Sequence, residues 1–225
     1  MSLPTETSSE PQKSNSPTAT RKDLQWPRRM FHLSMGLIAA FIYQNFLTHK
    51  QAVYILGGTT CILYILEQVR LNYPDFAAKF TVINRYMLRA EEELKESSAI
   101  PYIMGLLLTI LSFPKPLALA SILILALADP FSAIVGIQYG KRKITANKTL
   151  EGSLTFFVFS FFATYVAFSP MTEISLVKLF SLCLVHAICM ALFEIIPLRL
   201  DDNLTIPITS ASWLWILTAL FGIDV

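Results

Sequence analysis

The chain is 225 residues long, 54% apolar and only 15% charged, where soluble domains carry roughly a quarter charged residues. Apolar stretches of about 18 residues or more recur, enough to cross ~30 Å of hydrocarbon as helices, so a soluble globular enzyme is excluded. A net charge of +2 says little by itself; no nucleic-acid partner is expected, and Cys61, Cys183 and Cys189 all lie in apolar segments, which argues against a disulfide framework.

Residues 1–26 form a polar tail, Ser/Thr/Pro-rich in its first twenty positions and expected to be disordered. The tail has neither the apolar core and cleavage site of a secretory signal nor the Arg-rich amphipathic pattern of a plastid transit peptide. Residues 27–225 read as a single integral membrane domain of the all-α class. Seven hydrophobic segments follow one another, at about 31–47, 52–69, 98–113, 116–139, 150–168, 174–197 and 204–222. With the amino terminus in the cytoplasm, fifteen of the eighteen Lys and Arg fall on the cytoplasmic side, leaving Lys50, Lys115 and Lys178 outside. That bias sets an N-in, C-out topology. A six-span arrangement, with segment four or seven re-entrant, is open at this stage, as is the oligomeric state. A bacterial plasma membrane and an endoplasmic-reticulum-type membrane fit equally.

Between segments two and three, Phe76, Phe80, Ile83, Met87, Ala90 and Leu94 recur at steps of four and three. This stripe predicts an amphipathic helix on the cytoplasmic leaflet, with Pro74 in its first turn.

The ionisable residues inside or beside the spans are the informative ones, because charge in hydrocarbon is costly. On this topology nearly all of them gather in one leaflet. Arg28, Arg29 and His32 open the first span and Glu67 ends the second. Asp129 lies in the cytoplasmic third of the fourth, Lys148 and Glu151 begin the fifth, Glu194 closes the sixth, and Asp202 with Asn203 opens the seventh. Such a one-sided pocket suits a site that takes a charged, soluble substrate from the cytoplasm and a lipid from the bilayer. Snorkelling explains lysines near helix ends better than it explains short carboxylates. A structural His32–Glu67 pair between the first two spans is an equal reading of those two residues. His186, in the middle of the sixth span, reads as a helix–helix hydrogen bonder.

In "ADPFSAIVGIQYGK", Pro130 has no N–H and disfavours α geometry at the residue before it. The fourth span is therefore expected to break at Asp129–Pro130, with Asp129 as N-cap of a new short helix and free N–H groups for phosphate. Asp129 can hold Mg²⁺, which takes one or two protein carboxylates together with substrate phosphates. Gly136 and Gly140, four apart, imply close approach of either a helix or a nucleotide. Lys141, Arg142 and Lys143 read as topology determinants, whereas Lys148 in "NKTLEGS" is expected to pair beside Glu151. No G-x-x-x-x-G-K-[ST] occurs, which excludes a soluble P-loop kinase.

"RRMFHLSMG" (28–36), "ADPFSAIVGIQYGK" (128–141), "KTLEGS" (148–153) and "DDNLTIP" (201–207), in this order, resemble the dolichol kinase, phytol kinase and CTP-dependent diacylglycerol kinase family. These membrane enzymes are related to phosphatidate cytidylyltransferases. The resemblance spans residue 27 to the end and implies transfer of the γ-phosphoryl group of a nucleotide, commonly CTP, to a lipid alcohol. For that reaction Asp129 is expected to hold Mg²⁺, with Asp202 in the metal or surrounding network, or alternatively to deprotonate the acceptor alcohol, and Lys148 to pair the phosphates with Arg28 or Arg29. Glu151 would complete the network, and Asn203 would orient the base or a phosphate. Gly136, Gly140 and Lys141 would lie along the nucleotide; His32, Glu67 and Glu194 are possible supports. A CDP-lipid synthase is an alternative, although its His-Gly-Gly and Asp-Arg signature is absent where this chain reads "IPLRLDDNLTIPITS". A small membrane transporter is another.

Overall fold

The computed structural model describes residues 26–73, 99–145, 147–198 and 200–225. The polar tail to residue 25 and the amphipathic stripe within 74–97 lie outside the described residues. Seven rods match the seven apolar segments: α1 (Trp26–Asn45), α2 (His49–Asn72), α3 (Ala99–Ser112), a composite fourth rod, α6 (Leu150–Phe168), α7 (Leu176–Ile195) and α8 (Asp202–Phe221). The fourth comprises α4 (Lys115–Leu123), a π-turn (Ile124–Ala128) and α5 (Asp129–Tyr139). Five of the seven are long and apolar enough to cross a membrane, the fourth and seventh among them. The 14-residue α3 is shorter, about 21 Å at ~1.5 Å per residue. The protein is an all-helical integral membrane protein.

Local chemistry sets the rod ends. Thr48 and Gln51 form a reciprocal capping box at the start of α2. Thr149, Ser175 and Asp201 each accept a backbone N–H as the N-cap of α6, α7 and α8. Gly222 ends α8 with φ +59°, the left-handed conformation that costs glycine least.

The fourth rod runs through the centre of the bundle: 67% of its most apolar stretch is buried, against 33–39% for α6, α7 and α8 and 6% for α2. It packs against α1, α3, α6 and α8. Its interruption lies at the expected place but takes a different form. Asp129 keeps helical angles (φ −62°, ψ −55°), and its N–H bonds the carbonyl of Ile124, five residues back. A proline ring collides with the carbonyl four residues behind it, here that of Ala126. Widening the helix into a π-turn just before Pro130 relieves that collision without opening the chain. Asp129 is therefore no N-cap, and the expected free helix terminus for phosphate does not form.

Close approaches shape the rest. Pro207 leaves the carbonyl of Asn203 without its usual donor on α8, and that carbonyl faces Gly105 of α3, where a Cβ would collide with it. A Cβ on Gly36 of α1 would strike Ala126 in the π-turn and the Tyr102 hydroxyl. In the core, His186 Nδ1 lies 2.8 Å from Thr164 Oγ1 and its Nε2 lies 3.2 Å from the Ser210 carbonyl. Ser210 Oγ in turn meets Ser121 Oγ at 2.9 Å. One buried imidazole thus ties α4, α6, α7 and α8 together, as expected of a packing histidine.

Candidate active site

Because successive rods alternate in direction, one end of the bundle collects the starts of α1, α3, α6 and α8 with the ends of α2, α5 and α7. At the opposite end the cations satisfy helix carbonyls. Lys115 Nζ donates to the carbonyls of Gln44 and Leu47, each at 3.2 Å, and Lys178 Nζ donates to that of Gly222. Of the described acids, all but Glu173 and Asp224 occupy the first end.

Asp129, half-buried, opens α5 directly after the π-turn, and its carbonyl accepts the Ser132 hydroxyl at 2.9 Å. Asp202 of α8, Lys148, Arg29 of α1 and Glu194 of α7 lie within Coulomb reach of its carboxylate. The sequence therefore brings Asp129, Asp202, Lys148, Arg29 and Glu194 together from five parts of the chain. Asn203 is buried beside them, and its backbone N–H is held by the Asp201 carboxylate at 2.9 Å. Asp202 itself is exposed. The Arg28 side chain lies outside the described residues.

Lys148 departs from expectation in its partner. It pairs with Glu194 across 46 residues, Nζ to Oε1 at 2.5 Å, and the other carboxylate oxygen accepts the Ser153 hydroxyl at 3.0 Å. Glu151, the expected partner, instead accepts the backbone N–H of Arg142 on both oxygens at 3.3 Å. Glu151 thus fastens the hairpin that carries Lys148. Burial opposes the Lys148 charge, but the contact with Glu194 and the fields of Asp202 and Asp129 outweigh it and hold the ammonium above its ordinary pKa.

The other expected positions are accounted for by packing. A side chain at Gly136 or Gly140 would meet Thr149, and one at Gly152 would meet the Ser132 carbonyl. These three glycines form the seam between α5 and α6, so the close neighbour of Gly136 and Gly140 is a helix. Lys141 is exposed on the hairpin. Glu67 makes a two-point ion pair with Arg70 one turn along α2, at 2.7 and 2.8 Å. His32 lies against Tyr102 of α3, with ring centroids 4.8 Å apart, and its carbonyl accepts the Tyr102 hydroxyl at 3.1 Å. Tyr102, which also lies within Coulomb reach of Asp129, and Ser153 were not singled out from the sequence. A serine one turn into α6, on the face of Thr149, was the only signal for the latter.

The donor set admits Mg²⁺. Asp129, Asp202 and Glu194 stand with Lys148 and Arg29, and the direct partner of Lys148 is Glu194. Among the described residues no three Asp, Glu, His or Cys side chains make a cage on their own. Mg²⁺ takes one or two protein carboxylates with phosphate oxygens and water, and Asp129 with Asp202 would be the pair to hold it.

Comparison with known proteins finds relatives along most of the chain. Over 204 residues the chain is 31% identical to "CTP-dependent diacylglycerol kinase 1" of Saccharomyces cerevisiae, covering 82% of this chain and 70% of the relative. It is 28% identical over 201 residues to the protein of the same name from Schizosaccharomyces pombe, covering 85% of this chain and 92% of the relative. A third relative, "Probable phytol kinase 1, chloroplastic" of Oryza sativa subsp. japonica, is 24% identical over 81% of this chain and 61% of its own length. No family model matches the chain, and no solved structure matches it. With 31% identity across most of both chains, and an acid–base cluster at one end of a membrane bundle, this protein belongs to the membrane lipid kinase family of the CTP-dependent diacylglycerol and phytol kinases.

Proposed function

We propose that this lipid kinase transfers the γ-phosphoryl group of CTP to the hydroxyl of diacylglycerol at the cytoplasmic face. The observation that carries this reading is the convergence of Asp129, Asp202, Lys148, Glu194 and Arg29 at one end of an otherwise apolar bundle. Three relatives named for CTP and diacylglycerol support the choice of substrates. The Lys/Arg bias supports placing the charged end in the cytoplasm.

Phosphoryl transfer is mainly positioning and charge stabilisation. In this reading Lys148 and Arg29 attract the triphosphate, and Asp129 with Asp202 would hold Mg²⁺. When bound, the ion would neutralise charge on the phosphate oxygens. The lipid, its acyl chains still in the bilayer, presents its hydroxyl to the same end. The hydroxyl oxygen bonds to the γ-phosphorus as the bond from that phosphorus to the β–γ bridging oxygen breaks. CDP leaves with the bonding pair, and the hydroxyl proton passes to the carboxylate of Asp129 or Asp202.

The test is transfer of label from γ-labelled CTP, ATP, GTP or UTP to diacylglycerol, phytol or dolichol by purified protein in detergent, with and without a Mg²⁺ chelator. CTP with diacylglycerol should label the lipid, and chelation should stop it. Faster transfer from ATP would overturn the donor assignment. Labelling of phytol or dolichol in preference to diacylglycerol would overturn the acceptor.

A further inference from the structure

The mechanism leaves one buried acid without a task of its own. Glu194 is 8% exposed and sits at the end of α7, where a carboxylate gains nothing from the helix dipole. Both its oxygens are engaged, one by Lys148 at 2.5 Å and the other by Ser153 at 3.0 Å. Lys148 is fixed from the backbone side as well. Its carbonyl accepts the N–H groups of Ile144 and Thr145, Leu150 N–H bonds the Arg142 carbonyl, and Lys143 and Thr149 form a β-bridge. A lysine whose only task was to anchor a hairpin would need no buried partner on another helix. Of its three N–H donors one meets Glu194, while the side chain keeps 28% of its surface exposed against 5% for that of Glu194. The remaining donors belong to an ammonium within Coulomb reach of Asp202 and Asp129.

From this geometry we infer that Glu194, braced by Ser153, is a positioning residue that holds the Lys148 ammonium where the nucleotide phosphates arrive. The inference rests on the proposed CTP site and deepens it. Glu194 acts through Lys148 and touches neither substrate, so its effect must disappear when Lys148 is absent. A metal-binding or independently structural Glu194 would keep its effect.

The test is a double-mutant cycle on Mg²⁺-dependent CTP binding to purified protein in detergent, which needs no turnover, using Glu194→Gln, Lys148→Ala and the pair. Glu194→Gln should weaken CTP binding roughly tenfold in the native background, and should add less than twofold in the Lys148→Ala background. The KM for diacylglycerol should stay the same. Additive effects on CTP binding, or Glu194→Gln binding CTP as the native protein does, would overturn the inference. If Glu194→Gln does not fold, Ser153→Ala serves, with a smaller loss of CTP binding that again vanishes without Lys148; an equal loss in both backgrounds would overturn it. Native protein that labels no lipid from γ-labelled CTP would overturn the donor assignment and the inference with it, a failure distinct from a native enzyme whose cycle is additive.

Discussion

Lys148 shows how a single charge is both a stability element and a functional one. Glu194, Asp202 and Asp129 raise its pKa in the folded protein against the opposing effect of burial. The sign of the linkage follows: its stabilisation is fully present below the unfolded value of 10.5 and is lost as pH rises through the higher folded value. Thermal midpoints in detergent should therefore fall above about pH 10.5, and this limb should flatten in the Lys148→Met/Glu194→Gln double variant. An unchanged limb would show that the pair contributes nothing. Asp129 stands with two other carboxylates and with Lys148 and Arg29, and Asp129→Asn should lower transfer by about 10³-fold or more in a protein that still folds. A folded Asp129→Asn enzyme with native activity would remove that carboxylate from the site. Asp129, Lys148, Asp202 and Arg29 were legible in the sequence because a charge within or beside an apolar span needs a reason to be there. The partner of Lys148 was not: Glu151 is adjacent in sequence, but which acid Lys148 meets is decided by how α6 packs on α7.

At the scale of elements, the glycines separate into seams and open faces. Gly105 faces the Asn203 carbonyl that Pro207 leaves without a donor, and a Cβ there must push α3 from α8. Gly105→Ala should cost about 1–3 kcal/mol or more and lower activity, because the displaced backbone carries Asn203 and adjoins Asp202. Gly57, on lipid-facing α2, has nothing within 4 Å of a Cβ; Gly57→Ala should be neutral or stabilise by up to ~1 kcal/mol. Thermal unfolding of the two variants side by side checks both, and equal effects would contradict the seam. The same scale explains the misread break in the fourth rod. Proline restricts the residue before it, which the sequence displays, but a buried helix can absorb that restriction by adding a residue to one turn. With the fourth rod enclosed by α1, α6 and α8, a π-turn keeps backbone groups bonded where an open break would leave them unpaired in an apolar core.

For the whole molecule, polarity is divided by depth. The seven apolar rods, their alternation and the gathering of most acids at one end followed from segment lengths and the placement of charges. The network that holds the middle was legible only as a single buried histidine. His186 joins three other helices far from the cluster, so His186→Ala should lower stability by about 2–4 kcal/mol while activity per folded molecule remains. A selective loss of activity at native stability would give this residue a role the fold does not. The central claim is that the charged end moves a terminal phosphoryl group, and the position of a radiolabel tests it most directly. Purified protein given Mg²⁺ and diacylglycerol should place label from γ-labelled CTP on the lipid, and should leave label from α-labelled CTP in CDP. No label on diacylglycerol from γ-labelled CTP, together with label from α-labelled CTP on the lipid and release of pyrophosphate when phosphatidate is supplied instead, would contradict a kinase and identify a CDP-lipid synthase.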